Sequence, residues 1–127
     1  MKIIEVMDKT DALYPNSYTN SEKIAWCDEL GAMLRQEYAK SYPQGSSVQE
    51  EYVPISDPTE DETLVPPPYD VMYIDFLLAK CCYYQRDYDA YNQHIISFNS
   101  KLEDFAKWFI ERNMPVRESE NKINNWW

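Results

Sequence analysis

Glycine is almost absent from this 127-residue sequence, which contains only Gly31 and Gly45. Phosphate-binding loops and turn-rich all-β folds need glycine where the backbone takes a positive φ or approaches a ligand closely. The composition therefore argues against both. Hydrophobic residues make up 44% and charged residues 27% of the chain, which indicates one folded domain rather than a disordered polypeptide.

Metal-ligating and nucleophilic residues are also scarce. His94 is the only histidine, and the three cysteines, Cys27, Cys81 and Cys82, have no C-x-x-C spacing. A zinc site would have to use the two adjacent cysteines at poor geometry, and no serine–histidine–acid combination is evident. The sequence therefore predicts no catalytic residue, no metal site and no cofactor, with His94 at the edge of a buried stripe.

Long apolar runs are missing as well. None approaches the roughly 20 residues that a membrane helix needs, and Glu5 and Asp8 interrupt the apolar start of the chain. An odd number of cysteines, two of them adjacent, gives no disulfide framework. We expect a protein made in the cytoplasm, with free thiols and no membrane partner.

Basic residues are few, with 12 Lys and Arg against 22 Asp and Glu and a formal net charge of -10. No Lys or Arg lies between Lys40 and Lys80, whereas residues 41–79 contain eight acids. A chain this acidic does not wrap nucleic acid by neutralising phosphates.

Proline divides the chain and leaves two long proline-free stretches, 16–42 and 69–114. Hydrophobic spacing and these boundaries predict helices over 2–13, 20–39, 69–86 and 88–113. Thr19 and Glu22 form a capping box at the start of the second helix. The predicted fold class is mainly α, a small helical bundle that occupies residues 1–115.

The last predicted helix has the clearest pattern, because its apolar residues alternate in steps of three and four. After Tyr88, the predicted core positions are Tyr91, Ile95, Phe98, Leu102, Phe105 and Phe109. Arg86 and Asp87 mark a tight corner before it, so the last two helices should form a long antiparallel hairpin.

Two segments are predicted to lie outside this bundle. Residues 46–66 should form an extended arm or β-hairpin that projects to a neighbouring chain or tail component, or else a solvated loop; the contact residues expected are Tyr52, Val53, Ile55, Leu64 and Val65. Residues 116–127 should form an extended tail that docks through Arg117, Ile123, Trp126 and Trp127, or else a frayed terminus.

Aromatic and apolar residues exceed what the helical stripes need. Seven lie off the main stripes: Trp26, Met33, Tyr73, Tyr83, Tyr84, Ile96 and Trp108. A wide core stripe should absorb about half of them, and the rest would form a second, partner-binding face.

The order of these elements resembles a known family. A capped early helix, a long acidic proline-containing loop, two long antiparallel helices and a short tail are similar to the head–tail connector (adaptor or head-completion) proteins of tailed bacteriophages. The resemblance is strongest over 70–115, and YDAYNQHIISFNSKLEDFAKW looks like the last helix of such connectors. The acidic arm at 46–66 departs from some family members.

The resemblance implies a structural protein of the virion neck that forms a ring, usually twelvefold. The tail would dock into the portal protein and a loop would meet the next tail or stopper protein. An acidic ring would let DNA pass without specific binding. Two other classes stay open: a soluble acidic helical interaction protein, of inhibitor or DNA-mimic type, that acts as a monomer or dimer, and a small enzyme.

Overall fold

Four α-helices account for most of the residues that the computed structural model describes, which are 1–39 and 53–113. Helix α1 spans Ile3–Leu13, and α2 spans Asn20–Leu34 and continues as a π-helical turn, Arg35–Ala39. A 3-10 turn, Tyr69–Val71, leads into α3, Met72–Tyr84, and α4 spans Tyr88–Asn113. The mainly helical bundle and its four helices are confirmed. When the π-helical turn is counted with α2 and the 3-10 turn with α3, the ends lie within two residues of those predicted.

Helix α2 begins at the predicted capping box. The Glu22 amide donates to Thr19 Oγ1 at 3.1 Å, and the Thr19 amide donates to Glu22 Oε1 at 2.9 Å. The side chains therefore provide acceptors for two backbone amides at the N-terminus of α2, those of Thr19 and Glu22.

Replacing Thr19 with alanine is expected to lower the free energy of unfolding by about 1 kcal/mol, because the Glu22 amide loses its acceptor. Urea denaturation followed by circular dichroism measures this change. Ser17→Ala is the matched control, since Ser17 is exposed and precedes the helix. Equal stability of the two variants would contradict a role for the cap.

Helix α3 lies at the centre of the bundle, with α1 and α2 on one side and α4 on the other. Met72, Leu77 and Cys81 are each 0% exposed on it. Val6 of α1 and Leu30 of α2 are equally buried in the same core. The most apolar helix is thus the one that other helices cover on two sides.

The corner between α3 and α4 is a Schellman motif. The Asp87 amide donates to the Cys82 carbonyl at 2.9 Å, and the Arg86 amide donates to the Tyr83 carbonyl at 3.1 Å. Arg86 takes the left-handed backbone conformation that this motif requires, with φ 63°. The chain therefore reverses within three residues, and α4 returns along α3.

Ring contacts confirm the antiparallel hairpin. Tyr69, just before α3, lies 5.5 Å from Trp108 near the end of α4, and Tyr83 at the end of α3 lies 5.5 Å from Tyr91 at the start of α4.

The predicted core positions of α4 are buried to different degrees. Phe98 and Phe105 are buried, whereas Tyr91, Ile95, Leu102 and Phe109 are half-buried. The predicted residues do form the face of α4 that packs on the bundle, but four of the six are less buried than the prediction required. The reason is that α4 packs chiefly on a single helix, α3, and has no comparable packing against α1 or α2 in the described residues.

The prediction that the acidic segment projects from the body is wrong for residues 53–66. Val65 is buried, at 3% exposed, and Ile55 packs half-buried against the core. The carbonyls of Asp61 and Pro58 accept from the amides of Ile3 and Ile4, each at 2.9 Å.

The amides of Ile3 and Ile4 belong to the first turn of α1, where backbone amides have no acceptor within the helix. The loop carbonyls accept these two hydrogen bonds, which hold the loop against the bundle. Lys2 and Glu62 form an isolated antiparallel bridge rather than part of the expected β-hairpin. Tyr52 and the rest of 46–52 lie outside the described residues.

Candidate partner-binding surface

A ridge of tyrosines covers the corner where α3 meets α4. Tyr83 is at its centre, with its ring centroid 5.3 Å from Tyr84, 6.2 Å from Tyr88 and 5.5 Å from Tyr91. Tyr83 is 49% exposed, and Tyr84 and Tyr88 are each 54% exposed. We call these four residues the tyrosine ridge. Such side chains, apolar along the ring and polar at the tip, are enriched at protein interfaces.

Helix α2 fixes one end of the ridge. The Trp26 indole stacks on the Tyr84 ring, with centroids 5.8 Å apart and an interplanar angle of 10°. Tyr18 meets Trp26 edge-on at 5.4 Å. Because Trp26 is itself buried, Tyr84 is held by the core although half of it is exposed.

A groove of about 340 Å³ runs beside the ridge, between α3 and α4. Its lining residues are Phe76, Ala79, Lys80, Tyr83, Tyr84, Tyr91 and Ile95. Lys80 Nζ lies 5.4 Å from the centroid of the Phe76 ring and 3.1 Å from Glu29 Oε2. The groove is thus aromatic on its walls, with one cation in it that already has a partner.

A polar cluster also links α3 to α4. Lys101 Nζ donates to Asp75 Oδ2 and, at 2.7 Å, to Ser97 Oγ, which in turn donates to Asp75 at 2.9 Å. A serine beside a lysine has the composition of a nucleophile and its base. Here Lys101 donates to Asp75 and to Ser97, and Ser97 donates to Asp75 rather than to the lysine. The three side chains are thus tied to one another, and they hold α4 in register on α3.

The three cysteines are buried, as the sequence predicted for small apolar residues. Burial raises the pKa of the Cys27 thiol to about 12 and that of Cys81 to about 11, and it also raises the pKa of Cys82. These thiols are therefore poor nucleophiles in the folded protein.

The stability of the protein is expected to fall as the pH rises from about 9 towards 12. The folded protein keeps the Cys27 proton above the ordinary pKa of 9.0, whereas the unfolded chain loses it. The stabilisation from the protonated Cys27 thiol is fully present below pH 9 and disappears as the pH approaches the pKa of the thiol in the folded protein. In this range the free energy of unfolding falls by at most about 1.4 kcal/mol per pH unit for one thiol. Urea denaturation at a series of alkaline pH values measures it; Cys27→Ala should reduce the slope, and an unchanged slope would contradict this cause.

The structure brings together only some of the residues that the sequence predicted for binding. Val53 and Leu64 are 78% and 40% exposed, so contact with a partner stays a prediction for them, whereas Val65 is a core residue. The tail residues lie outside the described part of the chain: Arg117, Ile123, Trp126 and Trp127.

The surplus of aromatic and apolar residues divides as expected. Tyr73 and Trp26 are buried, Trp108 is half-buried, and four of the seven remain exposed: Met33, Tyr83, Tyr84 and Ile96. Sequence reasoning missed that Phe76 and Lys80 complete a groove with two of these tyrosines. The only signal for this was the spacing of Phe76, Lys80 and Tyr83 along one face of α3.

Within residues 1–39 and 53–113, no group of three or more His, Cys, Asp or Glu side chains is arranged to hold a metal ion. In the same residues, no helix combines the length and the apolar character that crossing a membrane requires.

Comparison of the sequence with models of protein families found no match. Comparison with curated proteins and comparison with solved structures found none either.

Proposed function

We propose that this chain is a head–tail connector protein of a tailed bacteriophage. Its copies form a ring, twelvefold by resemblance, in the neck of the virion between the portal protein and the next tail or stopper protein. The ring is assembled in the host cytoplasm, and DNA passes through it without specific binding. The chain acts through surfaces rather than through a catalytic site.

The order and packing of the helices support this proposal. The capped helix α2, the acidic loop and the α3–α4 hairpin occur in the sequence order on which the resemblance rests. The observation that carries the proposal is the exposure of the hairpin: α4 packs chiefly on α3, and Tyr83, Tyr84 and Ile96 remain 49%, 54% and 68% exposed. A ring subunit needs such apolar surface for its neighbours.

The tail adds a second predicted contact. Trp126 and Trp127 end the sequence, and tryptophan is among the residues most enriched at interface hot spots. Docking of these two side chains into the portal would be weak for one subunit and strong for a ring, because each subunit contributes one tail.

The test is co-purification with the portal protein of the same phage, followed by negative-stain microscopy. The full chain is expected to add a ring below the portal, and a chain truncated after Asn121 should lose most of this binding while it keeps its helical circular dichroism. Ser17→Ala in the full chain is a matched control that leaves both surfaces intact. A full chain that stays monomeric or dimeric beside the portal would favour the acidic interaction protein instead.

A further inference from the structure

We propose that the groove beside the tyrosine ridge binds a basic side chain, arginine in preference to lysine, that a segment of a partner protein inserts. The proposal rests on the proposed function in one respect, which is that the partner is a protein of the assembly. It adds the chemistry of the contact, which the resemblance does not supply.

The groove already binds one cation of its own chain. Lys80 Nζ lies 5.4 Å from the Phe76 centroid, within the distance of about 6 Å at which a cation is attracted to the face of a ring. The same ammonium pairs with Glu29 Oε2 at 3.1 Å. An aromatic face beside a carboxylate is thus the arrangement that holds a cation here.

The same two features remain open for a second cation. The Tyr83 and Tyr84 rings are about half exposed and stand at 83° to each other. Trp26 stacks on one face of Tyr84, so the surface that remains for a ligand is the other face of Tyr84 and the exposed part of Tyr83. The Glu29 side chain is 55% exposed, and its Oε1 accepts no hydrogen bond from the described residues. A guanidinium can therefore stack on one tyrosine while its methylene groups contact the other.

The charge of the surroundings is complementary to a basic partner. Glu29 pairs with Lys80 at the groove, and Asp87 and Asp89 lie at the corner where α4 begins. The whole chain carries a net charge of -10. This field attracts a basic segment and disfavours an acidic one.

Arginine fits this groove better than lysine. Its guanidinium is planar, stacks on aromatic faces and is more weakly hydrated than an ammonium, whereas lysine is a compact and strongly hydrated charge. A preference between two peptides of equal charge therefore separates binding in the groove from general attraction to an acidic protein.

The experiment uses three capped five-residue peptides, each with four glycines around a central arginine, lysine or glutamine. They are titrated into the full-length ¹⁵N-labelled protein and followed by the backbone amide shifts of Tyr83, Tyr84 and Lys80. We expect millimolar binding of the arginine peptide, about threefold weaker binding of the lysine peptide and no saturable binding of the glutamine peptide.

Two variants and a control locate the site. The double variant Tyr83→Leu, Tyr84→Leu removes both ring faces and should weaken arginine binding at least about fivefold. Glu29→Gln should weaken arginine and lysine binding alike. If the double tyrosine variant does not fold, Glu29→Gln locates the site in its place. The control Glu60→Gln, Glu62→Gln removes two exposed charges from the loop at the other end of α3 and should leave arginine binding within about twofold of wild type.

Equal binding of the arginine and lysine peptides would overturn the proposal. The proposal would also be overturned if the loop control lost as much arginine affinity as the tyrosine variant, because binding would then follow net charge alone. Either result leaves the connector proposal standing, since that proposal is judged by ring formation on the portal.

Discussion

Replacing Leu77 with alanine is expected to lower the free energy of unfolding by about 2–5 kcal/mol. Leu77 is 0% exposed at the centre of α3, the helix that α1, α2 and α4 all contact. The truncated side chain leaves a cavity that three helices cannot close together without losing other contacts. Denaturant unfolding with an unchanged m-value would establish that the loss is one of stability.

Leu102→Ala is the matched comparison, because it removes the same atoms from α4. The heptad pattern alone predicts a cost of about 2–5 kcal/mol for it as well. Since Leu102 is only half-buried, we expect roughly half the cost of Leu77→Ala. Equal costs for the two variants would show that α4 is covered far more completely than the described residues indicate.

The second large effect is expected at a buried charge. Lys23 is 2% exposed, and its ammonium donates to Asp11 Oδ1 at 2.6 Å. Asp11→Asn removes the countercharge and leaves the ammonium buried, which should lower the free energy of unfolding by about 1–3 kcal/mol. The value lies below that of a fully buried pair because the Asp11 side chain is 43% exposed.

Lys23→Met is the informative control for this pair. It keeps the apolar stem and removes the charge, so its effect on the free energy of unfolding should be small, within about 1 kcal/mol of zero. When Asp11→Asn is combined with Lys23→Met, it should lower the free energy of unfolding little further. If Asp11→Asn were as mild as Lys23→Met in thermal unfolding, the ammonium would have to reach water or another acceptor.

Local sequence signals predicted the helices well because each depends on residues that are close in the chain. Pro15 and the run Pro66–Pro68 bound the helical stretches, and the Thr19–Glu22 capping box marks the first turn of α2. Proline has no amide hydrogen to donate, and a cap acts over three residues.

The candidate site was predicted only in part. Surplus aromatic residues pointed to Tyr83 and Tyr84, but Trp26 and Tyr73 belonged to the same set and are buried. Helical spacing identifies a face, and it does not state how many neighbours cover that face. Whether a tyrosine joins the core or the ridge was decided when α2 packed on one side of α3 and α4 on the other.

The acidic loop shows the same limit. Its composition indicated a segment outside the core, yet the carbonyls of Pro58 and Asp61 satisfy the first amides of α1. Backbone groups are identical at every residue except proline, so no side-chain pattern records which carbonyl meets which amide.

The sequence by itself determined the helical fold class, the helix boundaries, the acidic charge and the excess of aromatic residues, because composition and short-range spacing suffice for each. Tertiary structure alone decided that Glu29 meets Lys80 beside Tyr83, and that Val65 is core while Val53 is exposed. Those outcomes depend on contacts between residues far apart in the chain, and such contacts are fixed only when whole helices pack.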